Sequence, residues 1–223
     1  MSVSERSPTA FPTVRRKLLR WFKKNQRDYP WRRTGNWFHL LMAEMMLRRT
    51  RADQVAPVYE DFCGRFSTPV DAHRCPPRKL EQILEPLGLK WRSRQMRETF
   101  AYLKDTFARR APGPGDDLEA IPGVGPYSSA MLRNRLFGEA VATVDSNVAR
   151  FICRLSGREF HAESRRNKEV IALANRFVKS KHSQDLNLAV LDLSALVCKP
   201  GRPLCGECPV AKECDYGRQH TVT

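Results

Sequence analysis

The chain has 223 residues, a length that suits one domain or two small lobes, with 39 Lys and Arg against 24 Asp and Glu for a net charge of +15. A mean hydropathy of −0.52, with no apolar run near the ~20 residues of a membrane helix, excludes an integral membrane protein. Hydrophobic residues make up 41% of the chain, 11 Phe and 4 Trp among them, so there is apolar surface for a core and the charge is not a mark of disorder. A basic excess points to a polyanionic partner, because Lys and Arg that displace condensed counterions gain affinity for phosphate backbones. A membrane-surface or ribosome-associated protein would show the same balance.

Residues 1–13 carry no periodicity and read as a flexible lead-in without an apolar signal region, which points to a reducing, cytoplasmic setting, nucleoid-associated in a prokaryote. Val14, Leu18, Leu19 and Phe22 recur at helical spacing. A turn follows at Asp28–Trp31, and one helix is expected over 37–55, with Phe38, Leu41, Met42, Met45 and Met46 as its apolar stripe. Helices are expected at 55–65, 78–86 and 91–109, interrupted at Pro76-Pro77 and Gly88, before the strong breaker Ala111–Gly115. Further helices are expected at 117–121, 127–137, 146–156, 165–180 and 185–197, and Val141–Val144 is the single short strand candidate. The fold class is all-α.

Two motifs carry chemistry. Leu118 to Leu132 reads as helix, Pro-Gly-Val-Gly turn and helix. Gly123 and Gly125 can leave backbone amides at a helix N-terminus open to an anion, with Pro126 suited to the first helical turn; the competing reading is a turn whose glycines serve only close packing. Cys198, Cys205, Cys208 and Cys214 crowd into seventeen residues as C-x6-C-x2-C-x5-C, whereas Cys63, Cys75 and Cys153 are scattered. In a reducing compartment such a group suits metal ligation, by zinc or by an iron–sulfur cluster. Two acids stand out beside these motifs. Asp145 precedes the helical run Val148, Ile152, Leu155, where an N-cap is sufficient explanation. Glu44 lies in an apolar stretch, where burial would favour its protonated form or an arginine would pair with it.

The segment Leu-x-x-Ile-Pro-Gly-Val-Gly-Pro-Tyr-Ser-Ser-Ala, then Asp145 eighteen residues after Tyr127, then the four cysteines closely resembles the helix-hairpin-helix (HhH-GPD) DNA glycosylases of the endonuclease III and adenine glycosylase superfamily. The resemblance covers roughly 14–216. It implies a two-lobed fold: a six-helix barrel over 28–136 with its hairpin at 117–136, and a lobe built from 14–27 and 137–223 that holds a 4Fe-4S cluster on the cysteines of 198–214. It also implies a monomer acting on double-stranded DNA with mismatched or damaged bases in base excision repair, with no membrane partner.

Residue by residue, the resemblance makes Asp145 the catalytic aspartate that stabilises an oxocarbenium-like sugar and guides water. Glu44, in a segment similar to the family's Ser/Thr-Glu-x-x-Leu-x-x-Thr, would reach the base pocket. Gly123, Val124, Gly125 and Ser128 would meet phosphate, and a monovalent cation can accompany such a hairpin. Tyr127 stands where strand-cutting relatives carry a Schiff-base lysine; a phenol cannot form an imine, so a monofunctional glycosylase with Tyr127 lining the pocket is expected.

Leu47-Arg48-Arg49-Thr50, Ala52 and Leu188 resemble the Mig-type thymine-DNA mismatch glycosylases more than adenine enzymes, which usually carry Leu-Gln-Gln-Thr, a bulkier residue and Asn-Gln-Ala. Only nine residues follow Cys214, which also leans away from the adenine enzymes and their further C-terminal domain. Ala52 and Leu188 would border the base pocket. Arg48 or Arg49 would fill the vacated stack or meet the orphaned guanine, with plain phosphate contact as the alternative. The expectation is thymine or uracil removal opposite guanine. Adenine removal opposite guanine or oxidised guanine is the alternative, and a non-catalytic DNA-binding protein is the competing class.

Overall fold

A computed structural model describes residues 11–88 and 91–220; among them there are eleven α-helices joined by short 3-10 turns, and no strand. The all-α expectation holds. The helices are α1 (Phe11–Asn25), α2 (Trp37–Met46), α3 (Ala52–Arg65), α4 (Pro69–Arg74), α5 (Pro77–Leu84), α6 (Trp91–Phe107), α7 (Pro126–Phe137), α8 (Ser146–Leu155), α9 (Lys168–Val178), α10 (Ser183–Leu196) and α11 (Asp215–His220). Several starts are written in the residue before the helix, because a side-chain acceptor there satisfies amides that lack an intrahelical partner. Asn36 accepts from the amides of Phe38 and His39, Asn167 from those of Glu169 and Val170, and Thr68 forms a reciprocal capping box with Asp71.

The chain divides into two compact units, residues 28–137 and the remainder on either side of them. The central unit holds α2 to α7. Its core gathers Phe38, Phe62 and Phe100 with ring centroids about 6 Å apart, and Met42, Met45 and Met46 fill between them. The other unit joins α1 to α8–α11, and Val14, Leu18 and Phe22 of α1 are buried in a cluster with Phe151, Phe177 and Leu193. The long-range return of α1 is secured by polar bonds: Arg15 donates to the carbonyls of Phe177 and Arg176 at the end of α9, and Lys17 pairs with Glu213 at 2.7 Å.

Three expectations differ from the structure. The expected helix over 37–55 is two helices, broken at 47–51, where Arg49 takes a left-handed conformation with φ of 55°. The lead-in over 1–13 lies for its first ten residues outside the described residues, and Phe11, Pro12 and Thr13 already belong to α1. Val141–Val144 forms no strand. Its backbone is satisfied by side chains: Asn175 Oδ1 accepts from the Ala142 amide at 2.8 Å, Asn187 Oδ1 accepts from the Thr143 amide at 3.0 Å, and Asn187 Nδ2 donates to the Val141 carbonyl at 2.9 Å. Helix α4 and the last helix, α11, went unpredicted, being six residues each and too short for a periodic signal.

Arg27 closes the first segment. Its Nε lies 2.6 Å from Asp192 Oδ1 and its amide 3.0 Å from Oδ2, and the Asp192 side chain is wholly buried. Removing one member of a buried pair strands the other's charge. Arg27→Ala is expected to lower the unfolding free energy by about 3 kcal/mol, read by chemical denaturation, with Arg27→Lys losing less.

Candidate DNA-contacting and catalytic residues

In the central unit, seven consecutive residues from Leu40 to Met46 are buried, and Glu44 is carried in with them at 6% exposure. A helix so enclosed must end where it leaves the core, and its last carbonyls need donors. The guanidinium of Arg92 on α6, 1% exposed, supplies them: it donates to the carbonyls of Met46 at 3.0 Å and of Arg48, and to Thr50 Oγ1 at 3.0 Å. Within this turn the two arginines part company. Arg48 is half-buried and donates to Gln95 Oε1 and to the carbonyl of Gly123. Burial lowers its pKa, and the nearby Glu44 charge opposes that shift. Arg49 is exposed, in a conformation that costs a non-glycine residue about 1 kcal/mol.

The Arg48 bond ties α2 to the hairpin. There the first helix is a single 3-10 turn, Leu118–Ala120, and the second is α7. Thr99 Oγ1 donates to the Pro122 carbonyl at 2.7 Å and holds the turn against α6. The two glycines differ. Gly123 has φ of +87°, a conformation that calls for glycine, and a Cβ there would also crowd Met45 Cε and Gln95 Cδ at 3.1 Å. Gly125 has no such φ, and a Cβ on it would meet nothing within 4 Å. Internal packing therefore explains Gly123 alone. The first intrahelical bond of α7 runs from the Ser129 amide to the Gly125 carbonyl at 2.9 Å, so the amides of its first turn precede the helical ladder. Val124 and Ser128 are buried, at 8% and 3% exposure. The carbonyls of Ile121, Pro122 and Gly123 already accept from the Val124 amide, Thr99 and Arg48. A cation at the Gly123 carbonyl would face the Arg48 guanidinium. Tyr127 is half-buried as the second residue of α7, and Ala52, the first of α3, packs against the core of this unit.

The chain leading into the hairpin is held as firmly. Arg133 donates to the carbonyls of Pro114 and Asp116 at 3.0 Å, and Asp116 takes two bonds from Arg110 and one of 2.6 Å from the Gly113 amide.

In the other unit Asp145 caps α8. Its Oδ1 accepts from the amides of Asn147 and Val148, and its Oδ2 from Asn147 Nδ2, all at 2.8 Å. Three bonds leave the half-buried carboxylate one orientation. The segment before it is held by buried Asn187, and Leu188 beside Asn187 packs against the core of this unit. Arg150, 4% exposed, donates to Asn147 Oδ1 at 3.1 Å and to the carbonyls of Ser194 and Cys198 at 3.1 and 3.0 Å. Glu44 and Asp145 thus belong to different units, as do Ala52 and Leu188.

Among the described residues no group of three or more His, Cys, Asp or Glu side chains would hold a metal ion. Cys198, Cys205, Cys208 and Cys214 nevertheless all line one cavity, partly open to solvent and walled by Phe151 and Leu193. Burial raises the thiol pKa values of Cys205, Cys208 and Cys214, that of Cys208 to about 12. Arg154 Nη1 donates to Cys198 Sγ at 3.3 Å and the Gly217 amide to Cys214 Sγ at 3.4 Å. A Cβ on buried Gly217 would come within 2.7 Å of the Ala211 carbonyl oxygen. Four thiols, an apolar wall and two N–H donors aimed at sulfur fit a thiolate-bound metal centre.

The model of the HhH-GPD superfamily base excision DNA repair proteins matches residues 42–191, which include Glu44, the hairpin and Asp145. The chain belongs to this superfamily. This glycosylase is 30% identical over 200 residues to the thymine/uracil-DNA glycosylase of Methanothermobacter thermautotrophicus, covering 89% of this chain and 90% of that protein. It is also 30% identical over 216 residues to the adenine DNA glycosylase of Homo sapiens, covering 92% of this chain and 39% of that one. The solved structure of a thermostable thymine-DNA glycosylase superposes with a TM-score of 0.86 at 29% identity, over 94% of this chain and 99% of that one.

Sequence reasoning missed Arg92, Arg150 and Asn187. Arg92 and Arg150 are two of 39 basic residues, and nothing local marks them as buried.

The Arg110 guanidinium, then the Gly113 amide, hold the Asp116 carboxyl down to about 2. A carboxylate with a depressed folded-state pKa adds stability that is present above the unfolded value of about 3.9 and lost as pH falls through about 2. The thermal stability of the protein is therefore expected to fall between pH 4 and pH 2 by a component that Asp116→Asn lacks, seen as a shallower Tm profile over that window.

Proposed function

We propose that this glycosylase hydrolyses the N-glycosidic bond of thymine or uracil mispaired with guanine and leaves an abasic site. The observation that carries the base assignment is the run Leu47-Arg48-Arg49-Thr50 just after buried Glu44, with arginines where adenine enzymes usually carry glutamines. In this reading buried Glu44 works as a carboxylate, with the charge of Arg48 close enough to act on it. A carboxylate orients water and takes its proton, which serves a pyrimidine that departs with the bonding electron pair on N1. Adenine is a poor leaving group unless its ring is protonated, and that calls for an acid. Similarity to thymine and thymine/uracil glycosylases supports the same reading.

In this mechanism the first-turn amides of α7 and the open approach at Gly125 receive a phosphate. A mispaired thymine costs less to extrude than a matched one, which gives part of the selectivity before any pocket contact. Exposed Arg49 takes the place of the extruded nucleotide and meets the guanine left behind. Asp145, fixed by its three bonds, stabilises the positive charge that develops on the sugar as the C1′–N1 bond breaks. Water adds to C1′, its proton passes to carboxylate, and the base is protonated from solvent. Tyr127 offers no amine, so no imine forms and the strand stays intact.

The decisive measurement is base release from duplexes containing T·G, U·G, A·G and adenine opposite oxidised guanine. Release from T·G and U·G is expected; removal of adenine alone would overturn the assignment. Asp145→Asn should lower single-turnover release by about a thousandfold or more while duplex binding persists, and borohydride should trap no covalent complex.

We further propose that the four cysteines hold a 4Fe-4S cluster. When bound, the cluster cross-links the four thiolates and ties off the loop between α10 and α11. Support comes from the shared cavity and from the donors Arg154 and Gly217 aimed at sulfur. Protein purified without oxygen should show visible iron–sulfur charge-transfer absorbance with about four iron per chain, and Gly217→Ala should reduce its retention. Stoichiometric zinc with no iron would refute this.

A further inference from the structure

Arg92 is an unusual arginine. It is 1% exposed, three acceptors between Met46 and Thr50 receive its guanidinium hydrogens, and its Nε has no hydrogen-bond partner. Its acceptors are two carbonyls and a hydroxyl, with no carboxylate among them. Burying a charge on neutral oxygens is costly, and it is sustained only where the geometry it enforces is worth having. Here it converges on one feature. Arg92 bonds the carbonyls on either side of Leu47, and the Thr50 hydroxyl it reaches also donates to the Arg48 carbonyl at 3.3 Å. Arg48 is pinned separately to Gly123 and Gln95. Between these fixed points Arg49 is the one non-glycine described residue at positive φ, and it is exposed.

We propose that Arg92 is the positioning residue of the DNA-penetrating turn: its buried guanidinium locks the carbonyls at the end of α2 so that Arg49 is presented to the duplex already in its left-handed conformation. Presenting a rigid arginine removes the ordering cost that a flexible loop would incur on contact. The consequence is selective. A preset Arg49 has a gap to fill only where a nucleotide is missing from the stack, so Arg92 raises affinity for lesion DNA without raising affinity for intact duplex. This rests on the reading above that the turn meets DNA, and is independent of which base is removed.

The test uses full-length protein and two duplexes: one with a stable abasic-site analogue opposite guanine, and its undamaged counterpart. The ratio of the two Kd values is measured for the wild type, Arg49→Ala, Arg92→Lys, Arg92→Met and the double variants. A lysine ammonium cannot span the three acceptors, yet it keeps the charge and carries the test if the methionine variant does not fold. Arg92→Lys is expected to lower lesion selectivity by about tenfold with intact-duplex affinity unchanged, and to add no more than about twofold once Arg49 is alanine. Independent, additive losses would overturn the proposal, as would an equal loss on both duplexes, or no loss in Arg49→Ala or Arg92→Lys. A failure of the thymine assignment leaves these ratios untouched, because no base is released.

Discussion

The end of helix α2 is the point on which the central unit turns. Burial on every side of Leu40–Met46 carries Glu44 into the interior, and it also leaves the helix's final carbonyls without water. A guanidinium from α6 answers that demand, and a second one, Arg48, links the same turn to the hairpin. One solution to a backbone hydrogen-bonding requirement thereby sets three things together: where the acid sits, how the hairpin turn is braced, and which arginine faces outward.

A parallel logic runs through the other unit. Extended backbone at 141–144 receives its hydrogen bonds from Asn175 and Asn187, and Asp145 follows directly with its own carboxylate spent on α8's amides. Arg150 then joins Asn147 to the carbonyl of Cys198, so the neighbourhood of the aspartate and the start of the cysteine loop share one buried cation. In both units an arginine without an ion-pair partner in its own hydrogen-bond set does the bracing, satisfied chiefly by carbonyls. The basic composition is therefore not wholly a surface property. Part of the +15 charge is structural, and part is displayed: residues 1–50 alone carry +9, and Arg16, Arg20, Lys23 and Lys24 of α1 are exposed.

Most helices were legible, because a 3.6-residue apolar period survives in any amphipathic segment. The failures have particular causes. The break at 47–51 directly follows an apolar stripe with no Gly or Pro to announce it; its hydrogen bonds come from Arg92, forty-odd residues away. Val141–Val144 looked like a strand because extended backbone and β-branched residues suit one, yet amide side chains take the place of a neighbouring strand. The two glycines of the hairpin looked equivalent, and only Gly123 proves to be conformationally required.

By itself the sequence determined the all-α class, the hairpin turn, the spacing of the four cysteines and the two acids that stand apart from their surroundings, since each of these is a local pattern of residue types. Only the tertiary structure decided that Arg48 turns inward and Arg49 outward, that Arg92 and Arg150 are interior donors, and that Gly125 is open where Gly123 is filled. The reason is physical: identity and spacing fix what a residue can do, whereas its burial and its hydrogen-bond partners come from segments far away in the chain.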